Sequence, residues 1–253
     1  MGIQKTRIKT LKNSKLKILL SGYGKMGKEI EKIALQRGHE IVLKFDTAEE
    51  WNAKKDQLNE IDVVIDFSTP DTVIENIKNS FLINKPIVVG TTGWNNKFEE
   101  IKQLCLNQNQ TLFSSSNFSI GVNIFFEINK HLAELMNDHE EYDITIDEIH
   151  HTQKIDSPSG TAITLADQII KNVKRKNLWV NENTEEDASI GINSQRIENE
   201  PGTHIIQYES EMDVIEIKHT AKNRRGFAIG AIIAAEWIIG KKGVFNMKNL
   251  LNL

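Results

Sequence analysis

The stretch from Glu148 to Ala162 concentrates the side chains best suited to proton transfer. It contains two adjacent histidines, His150 and His151, and a lysine, Lys154, three positions beyond the second. Imidazole and ammonium groups can give and take protons, so these side chains form a candidate acid/base site. Taken one at a time, each is better explained as a space-filling or solvated residue, but their close spacing favours a functional site.

The same stretch ends in a small polar turn, Ser159-Gly160-Thr161, followed by an apolar pattern of helical period. Ser159 can cap a helix that starts near Thr161, where the first N–H groups have no partner within the helix. These N–H groups and the two hydroxyls predict a site for an anion such as a carboxylate. The alternative for each residue alone is a Ser-Pro loop before an ordinary capped helix.

A nucleotide-binding pattern lies near the start of the chain. A predicted strand, Leu16–Ser21, runs directly into Gly22-Tyr23-Gly24-Lys25-Met26-Gly27, a helical pattern follows as far as Gly38, and a second strand, Ile41–Phe45, ends at Asp46. Strand, G-x-G-x-x-G, helix, strand and acid together are typical of a dinucleotide site. The expected cofactor contacts are Ser21, Gly22, Tyr23, Gly24, Lys25, Met26, Gly27 and Asp46.

Three more predicted strands, Asp62–Phe67, Pro86–Val89 and Thr111–Phe113, alternate with predicted helices, Asp71–Ile83 and Phe98–Asn107. This order predicts a parallel, doubly wound sheet of the Rossmann type, in which ligands bind beyond the carboxyl ends of the strands. Any one of the small, polar segments there could be a plain turn. Together they favour a cofactor groove that includes Phe67, Ser68, Gly90, Thr91, Thr92, Ser115, Ser116, Asn117 and Phe118.

The identity of the dinucleotide stays open. Asp46 followed by Thr47 offers a carboxylate for ribose hydroxyls and no guanidinium for a 2′-phosphate, so NADH should be acceptable. Lys44 and Lys25 leave NADPH as an alternative.

The rest of the chain predicts a second, α+β domain with a mostly antiparallel or mixed sheet. Its predicted elements are the helices Ile120–Met136 and Thr161–Val173 and the strands Asp143–Ile149, Ile190–Ile197, Thr203–Glu209 and Val214–Thr220, with a polar surface excursion over Lys171–Asp187. A final apolar helix, Phe227–Ile239, would return to the first domain. The expected domains are residues 16–122 with 228–253 for the dinucleotide, and residues 123–227 for substrate binding and oligomerisation.

Composition narrows the class of protein. The net charge of −4 gives no reason to expect nucleic acid as a partner, and no apolar run is long enough to span a membrane. A single cysteine, Cys105, suits a reducing cytoplasm and is expected to pack rather than react. Residues 1–15 carry several basic and no acidic side chains, which favours a disordered leader.

The signature His-His-x-x-Lys-x-Asp-Ser-Pro-Ser-Gly-Thr-Ala, which starts at His150, closely resembles that of the dihydrodipicolinate reductase family. The resemblance extends over nearly the whole chain after residue 15. It implies NAD(P)H-dependent hydride transfer to 4-hydroxy-tetrahydrodipicolinate, a step of lysine and diaminopimelate biosynthesis, in a homotetramer without a metal. It also implies substrate contacts by His151, Gly160, Thr161 and Arg224, with His150 and Lys154 as the acid/base pair. Thr47 departs from members that carry an arginine there.

Three other functions compete with this one. A related dehydrogenase for a semialdehyde, homoserine or a sugar would share the nucleotide domain but would not need the paired histidines. A nucleotide-sensing regulator would bind NADH but would need none of His150, Lys154 and Arg224. A metal hydrolase using Glu148, His150 and His151 is the weakest alternative, because Lys154 would repel the ion and adjacent histidines on a strand face opposite sides.

Overall fold

In the computed structural model, which describes residues 15–47 and 49–253, the chain divides into two compact units. The first unit consists of the chain up to Ser116 together with Ala228–Leu250, and the second of Asn117–Phe227 with Leu251–Leu253. Most of the predicted basic leader, residues 1–14, lies outside the described residues.

The first unit is built on a six-stranded sheet in which every pair of neighbouring strands is parallel. The order across the sheet is β11-β5-β4-β3-β1-β2. β2 lies on one side of β1 and β3 on the other, so the order in which strands are added reverses at β1. The strands are β1 Lys17–Ser21, β2 Glu40–Phe45, β3 Val63–Asp66, β4 Ile87–Val89, β5 Thr111–Ser114 and β11 Gly243–Phe245. The predicted parallel Rossmann-like sheet is confirmed.

The segments between these strands are mostly helical, because the apolar residues of these segments recur at helical spacing. They are α1 Lys25–Gln36, α2 Glu49–Ala53, α3 Val73–Leu82, α4 Phe98–Asn107, α7 Arg225–Ile238 and α8 Met247–Leu251, with 3₁₀ turns over Lys55–Glu60 and Asn95–Lys97. Cys105 on α4 is fully buried, and burial raises the pKa of its thiol to about 11. The expectation that Cys105 packs in the core is therefore confirmed.

The second unit contains a mixed five-stranded sheet with the order β10-β9-β6-β8-β7. Its strands are β6 Asp143–His150, β7 Leu178–Val180, β8 Ser189–Arg196, β9 Thr203–Glu209 and β10 Val214–Thr220, and its helices are α5 Ile120–Met136 and α6 Gly160–Asn172. The central strand, β6, runs parallel to β8 and antiparallel to β9. Alternate residues of β6 are buried, as expected of a sheet with one face on a core.

The segment Lys171–Asp187 differs from the predicted surface excursion. It contains β7, which pairs with β8, and Lys176, whose side chain is buried. The Lys176 ammonium lies 2.8 Å from the Asp143 carboxylate and donates to the Ser189 carbonyl at 2.9 Å. A buried charge needs such partners, and they tie this segment to the sheet.

Candidate functional site

The glycine-rich loop between β1 and α1 is a tight turn whose glycines serve different purposes. Gly22 has φ +85°, and a Cβ atom there would lie 2.3 Å from the carbonyl oxygen of Phe67. A Cβ at Gly27 would lie 2.3 Å from the carbonyl oxygen of Gly22. A Cβ at Gly24, which caps α1, would meet no atom within 4 Å. The fold therefore requires Gly22 and Gly27, whereas Gly24 leaves open space beside the helix N-terminus.

The structure brings the predicted acid, Asp46, to this loop. Its Oδ1 accepts a hydrogen bond from the Tyr23 N–H at 2.6 Å. The N–H groups of Asp46 and Thr47 in turn donate to the Glu50 carboxylate at 2.7 and 3.1 Å, and these bonds lower the pKa of Glu50. Asp46 is thus fixed beside the N-terminus of α1, where a dinucleotide would need it.

Lys44, the cation closest along the chain to Asp46, is already paired. Its ammonium lies 2.7 Å from the Glu31 carboxylate and donates to the Tyr23 hydroxyl at 3.0 Å. The ammonium also lies 4.2 Å from the centre of the Tyr23 ring. Hydrogen bonds from Lys44 and Tyr23 lower the pKa of Glu31, so this carboxylate stays charged and neutralises the lysine.

A buried carboxylate, Asp66, holds two of the predicted groove segments together. It ends β3 and accepts hydrogen bonds from the Thr91 hydroxyl at 2.6 Å, the Asn76 amide at 2.8 Å and the Ser68 hydroxyl at 2.9 Å. Burial raises the pKa of Asp66, and these bonds oppose the rise. Gly90 is packed on Phe67 so closely that a Cβ there would overlap the ring at 2.2 Å. Sequence reasoning missed Asp66, although an acid that ends an apolar strand is a usable signal.

The remaining predicted cofactor residues are divided between the two units. Ser115 and Ser116 follow β5 in the first unit, and the Ser115 N–H donates to the Val89 carbonyl at 3.2 Å. Asn117 and Phe118 begin the second unit, where the Asn117 Oδ1 accepts from the Ser119 N–H at 2.9 Å. These bonds hold Ser115 and Asn117 each within its own unit.

The signature strand, β6, delivers Glu148 and His150 to the buried face of the second sheet. In the register of the sheet, Glu148 lies opposite His204 of β9, and His150 lies beside Arg196 of β8. Glu148 is fully buried and His150 is 8% exposed. Residues two apart on a strand share a face, so the sequence spacing and the register together create this cluster.

Glu148 is the centre of that cluster. Its two oxygens each lie 3.1 Å from the Ser159 N–H, and Oε1 also accepts from the Arg196 guanidinium at 3.1 Å. Oε2 lies 3.2 Å from Nδ1 of His150 and 3.9 Å from Nε2 of His204. Burial alone would raise the pKa of Glu148, but the hydrogen bonds and positive charge of its partners outweigh burial and hold the pKa well below its ordinary value.

The second imidazole of the cluster, that of His204, was not among the predicted site residues. Its ring lies 5.0 Å from that of His150, in an edge-to-face arrangement. Burial lowers its pKa to about 3, and the positive charges of His150 and Lys154 contribute to the shift. The Lys154 ammonium is itself paired with the Asp156 carboxylate at 2.7 Å.

The predicted anion site at Ser159-Gly160-Thr161 is only partly as expected. Ser159 caps α6, as predicted, and its hydroxyl accepts from the Ala162 N–H at 3.2 Å. The same oxygen lies 3.1 Å from Nε2 of His204, and the residue is 2% exposed. The hydroxyl of Ser159 is thus turned inward, while Gly160 is exposed and Thr161 half-buried at the helix start.

His151 and Arg224 line one cleft of about 400 Å³ in the second unit. The cleft is also lined by Lys222 and by acidic and amide side chains around Asn199. It therefore brings together two predicted substrate residues that are far apart in the sequence. An imidazole, a guanidinium and an ammonium around one opening suit a ligand with more than one carboxylate.

Glu148, His150 and His204 offer ligand atoms within 4.8 Å of one another, a spacing that a metal ion could bridge. However, the Arg196 guanidinium and the Ser159 N–H occupy the two oxygens of Glu148. A guanidinium in contact with the carboxylate would repel a metal cation. We therefore assign no metal to this cluster.

Comparison with known proteins agrees with this geometry. A model of the N-terminal part of dihydrodipicolinate reductase matches residues 16–118, and a model of its C-terminal part matches residues 121–251. The chain belongs to the dihydrodipicolinate reductase family. The predicted family is confirmed.

Relatives of this family match most of the chain. The 4-hydroxy-tetrahydrodipicolinate reductase of Christiangramia forsetii is 47% identical over 237 residues, which cover 94% of this chain and 98% of the relative. That of Thermosipho africanus is 35% identical and covers 90% and 94% of the two chains. A dipicolinate-bound dihydrodipicolinate reductase from Paenisporosarcina sp. TG-14 has the same fold, with a TM-score of 0.71 at 23% identity over 92% of this chain and 98% of that one.

Family membership makes this protein an NAD(P)H-dependent oxidoreductase, and its first unit is the nicotinamide-nucleotide domain. Among the helices of residues 15–47 and 49–253, none is both long and apolar enough to cross a membrane.

Proposed function

We propose that this protein reduces the product of aspartate semialdehyde–pyruvate condensation, 4-hydroxy-tetrahydrodipicolinate, to tetrahydrodipicolinate in lysine and diaminopimelate biosynthesis. The single observation that carries the proposal is the family match over both units, to relatives that bear this activity in their names. The acid/base residues, and the guanidinium, ammonium and imidazole groups that line the cleft of the second unit, fit the substrate of those relatives, a ring with two carboxylates.

Substrate binding is assigned to the cleft and to the start of α6. Arg224 and His151 supply donors for one end of the ring, and the N–H groups of Gly160 and Thr161 supply donors for a carboxylate. Ser159 positions the start of α6, because its hydroxyl accepts from the Ala162 N–H and its own N–H donates to the Glu148 carboxylate. We therefore place Ser159 among the positioning residues rather than the direct ligands.

Proton delivery is assigned to His150 and Lys154. Loss of water from the hydroxylated ring gives a conjugated imine, an acceptor poor in electrons. When bound, a reduced nicotinamide would supply the hydride for ring C4 and would itself become oxidised. His150 or Lys154 would add a proton at C3, so that the carbon–carbon double bond is reduced. General acid help of this kind contributes about 10²–10⁴-fold in rate.

We propose NADH as the preferred cofactor. Asp46 at the end of β2 would accept from ribose hydroxyls and repel a 2′-phosphate, while Glu31 neutralises the nearby Lys44. Asp46 and Glu31 thus both disfavour NADPH. Lys25, which follows Gly24 at the start of α1, is the cation that leaves NADPH as an alternative cofactor.

We further propose a homotetramer in the cytoplasm. Strand β10 is an edge of the second sheet, and Val214 and Ile215 on it are 50% and 37% exposed. Apolar side chains on an open edge are typically covered by another chain. Light scattering of the purified protein measures the subunit count; a monomer at working concentration contradicts this assignment.

Spectrophotometric turnover of the condensation product with NADH and NADPH side by side tests the proposed function. We expect oxidation of both cofactors, with NADH preferred, and a fall in kcat of at least a hundredfold in His150→Ala and Lys154→Ala. Lys171→Ala, near the far end of α6, is the matched lysine control and should retain wild-type rates.

The alternatives give different results in the same assay. A related dehydrogenase would turn over a semialdehyde, homoserine or a sugar instead. A nucleotide-sensing regulator would bind NADH without oxidising it. Loss of activity with a chelator would support a metal-dependent reaction, and near wild-type turnover in both His150→Ala and Lys154→Ala would refute the acid/base assignment.

A further inference from the structure

The carboxylate of Glu148 has no contact with solvent and yet lies between two imidazoles. It is 0% exposed, 3.2 Å from Nδ1 of His150 and 3.9 Å from Nε2 of His204. A fully buried anion is costly unless it is paired and hydrogen-bonded. Here a guanidinium and a backbone N–H supply hydrogen bonds, and an imidazole supplies the close electrostatic contact.

The two imidazoles cannot both be charged in so small a space. Like charges on rings 5.0 Å apart repel, and burial lowers the pKa of His204 to about 3. A neutral His204 can accept from the Ser159 hydroxyl, whose oxygen lies 3.1 Å from Nε2. Of the two rings, His150 is the one closer to the Glu148 carboxylate.

We propose that Glu148 is a positioning residue, whose charge 3.2 Å from Nδ1 keeps the transferable proton on His150. This inference rests on the proposed function, in which His150 is one of two candidate proton donors. The carboxylate acts through His150 and need not touch the substrate. Gly202 lies beside Nε2 on the other side of the ring and leaves room there, since the Cβ of any other residue would lie 3.0 Å from Nε2 of His150.

The other charged and titratable groups around Glu148 and His150 come from four parts of the second unit. Besides Glu148 itself on β6, they are Arg196 on β8, His204 on β9, His219 on β10, and Lys154 and Asp156 in the loop after β6. Most of these groups are cationic, or would be when protonated. Without the anion of Glu148 the remaining cations would disfavour a proton on His150.

The test is Glu148→Gln in the full-length enzyme, assayed for kcat and KM from pH 5 to about 10. Glutamine keeps an oxygen that can accept from Arg196 and Ser159 but removes the charge. We expect the alkaline fall of kcat to move to lower pH by about one unit or more, which is about a tenfold loss of kcat at a fixed pH on that limb. KM for the substrate should change less than kcat, because the cleft residues are untouched.

Two further variants separate charge from structure. Asp147→Asn removes an acid from the opposite face of β6, where Asp147 accepts from the Asn193 amide at 3.1 Å, and should leave the pH profile unchanged. Glu148→Asp restores the charge with a shorter side chain and should return the profile toward that of the wild type. NADH binding and circular dichroism check that each variant is folded.

The outcomes distinguish this inference from the proposed function. A uniform loss of kcat at every pH in Glu148→Gln, with the profile unmoved, would show a merely structural role and overturn the inference. An unchanged profile with normal kcat would overturn it as well. If the wild type turns over no condensation product, the proposed function fails, and nitrogen NMR of the His150 ring in wild type and Glu148→Gln then reports whether the carboxylate retains the proton there.

Discussion

Substitution of Gly24 by alanine should weaken cofactor binding without weakening the fold. The backbone at Gly24 is extended, with φ −75° and ψ −153°, so no left-handed conformation opposes alanine, and a Cβ there meets no atom within 4 Å. Alanine is a poorer N-cap than glycine by some tenths of a kcal/mol to about 1 kcal/mol, and it stabilises by about 0.4–1 kcal/mol through the unfolded chain. These two contributions nearly cancel, so the melting temperature should stay within about 2 °C of the wild type.

The other two glycines of the loop provide the contrast. Gly22→Ala costs about 1–2 kcal/mol for the left-handed backbone conformation. The new Cβ would also lie 2.3 Å from the Phe67 carbonyl oxygen, and such overpacking costs about 1–3 kcal/mol. A total of about 2–5 kcal/mol corresponds to a fall in melting temperature on the order of 10 °C. Gly27→Ala, with a Cβ 2.3 Å from the Gly22 carbonyl oxygen, should behave in the same way.

The assay combines thermal unfolding with NADH titration for each variant. In Gly24→Ala the added methyl group would occupy the space that a pyrophosphate needs at the N-terminus of α1, so Kd for NADH should rise about tenfold to a hundredfold. An unchanged Kd in a stable Gly24→Ala protein would refute the placement of the pyrophosphate at this loop. A Gly22→Ala protein as stable as the wild type would refute the steric argument.

Three other predictions test separate parts of the protein. Because burial lowers the pKa of His204 from its ordinary 6.5 to about 3, the unfolded chain binds more protons between these values, so the melting temperature should fall as pH drops from 6.5 toward 3, and less steeply in His204→Gln. Thr161→Ala should raise KM for the substrate about tenfold while kcat is retained, as steady-state kinetics would show, because it removes part of a carboxylate anchor. Glu31→Gln frees the Lys44 ammonium and should increase kcat/KM for NADPH relative to NADH several-fold; an unchanged ratio would mean that Lys44 does not face the 2′ position.

Helices and strands could be predicted from the sequence where the hydrophobic pattern is bounded by turn-forming residues. Thr203–Glu209 and Val214–Thr220 were bounded correctly because alternating residues are flanked by Pro201-Gly202 and a polar turn. Strand β7 was not predicted, since Leu178–Val180 has three residues within a polar segment and is stabilised by pairing with β8. Its position depends on contacts that no local pattern encodes.

The candidate site likewise contains residues that could be predicted from the sequence and residues that could not. The signature residues could be found from their types and spacing alone. The partners of Glu148 could not, because His204 and Arg196 reach it only through the pairing of β6 with β9 and β8, which the local pattern of a single strand does not reveal. The inward direction of the Ser159 hydroxyl likewise follows from its contact with His204.

The order of the segments has a consequence for biosynthesis on the ribosome. The second unit interrupts the first, and Gly243 of β11 pairs with Thr111 of β5 across the whole inserted length. While that insertion is being translated, β5 remains an unprotected sheet edge, able to pair with a neighbouring nascent chain. A polypeptide released before Phe245 would keep this edge permanently, so premature termination near the end of the message should give aggregates rather than a slightly shortened enzyme.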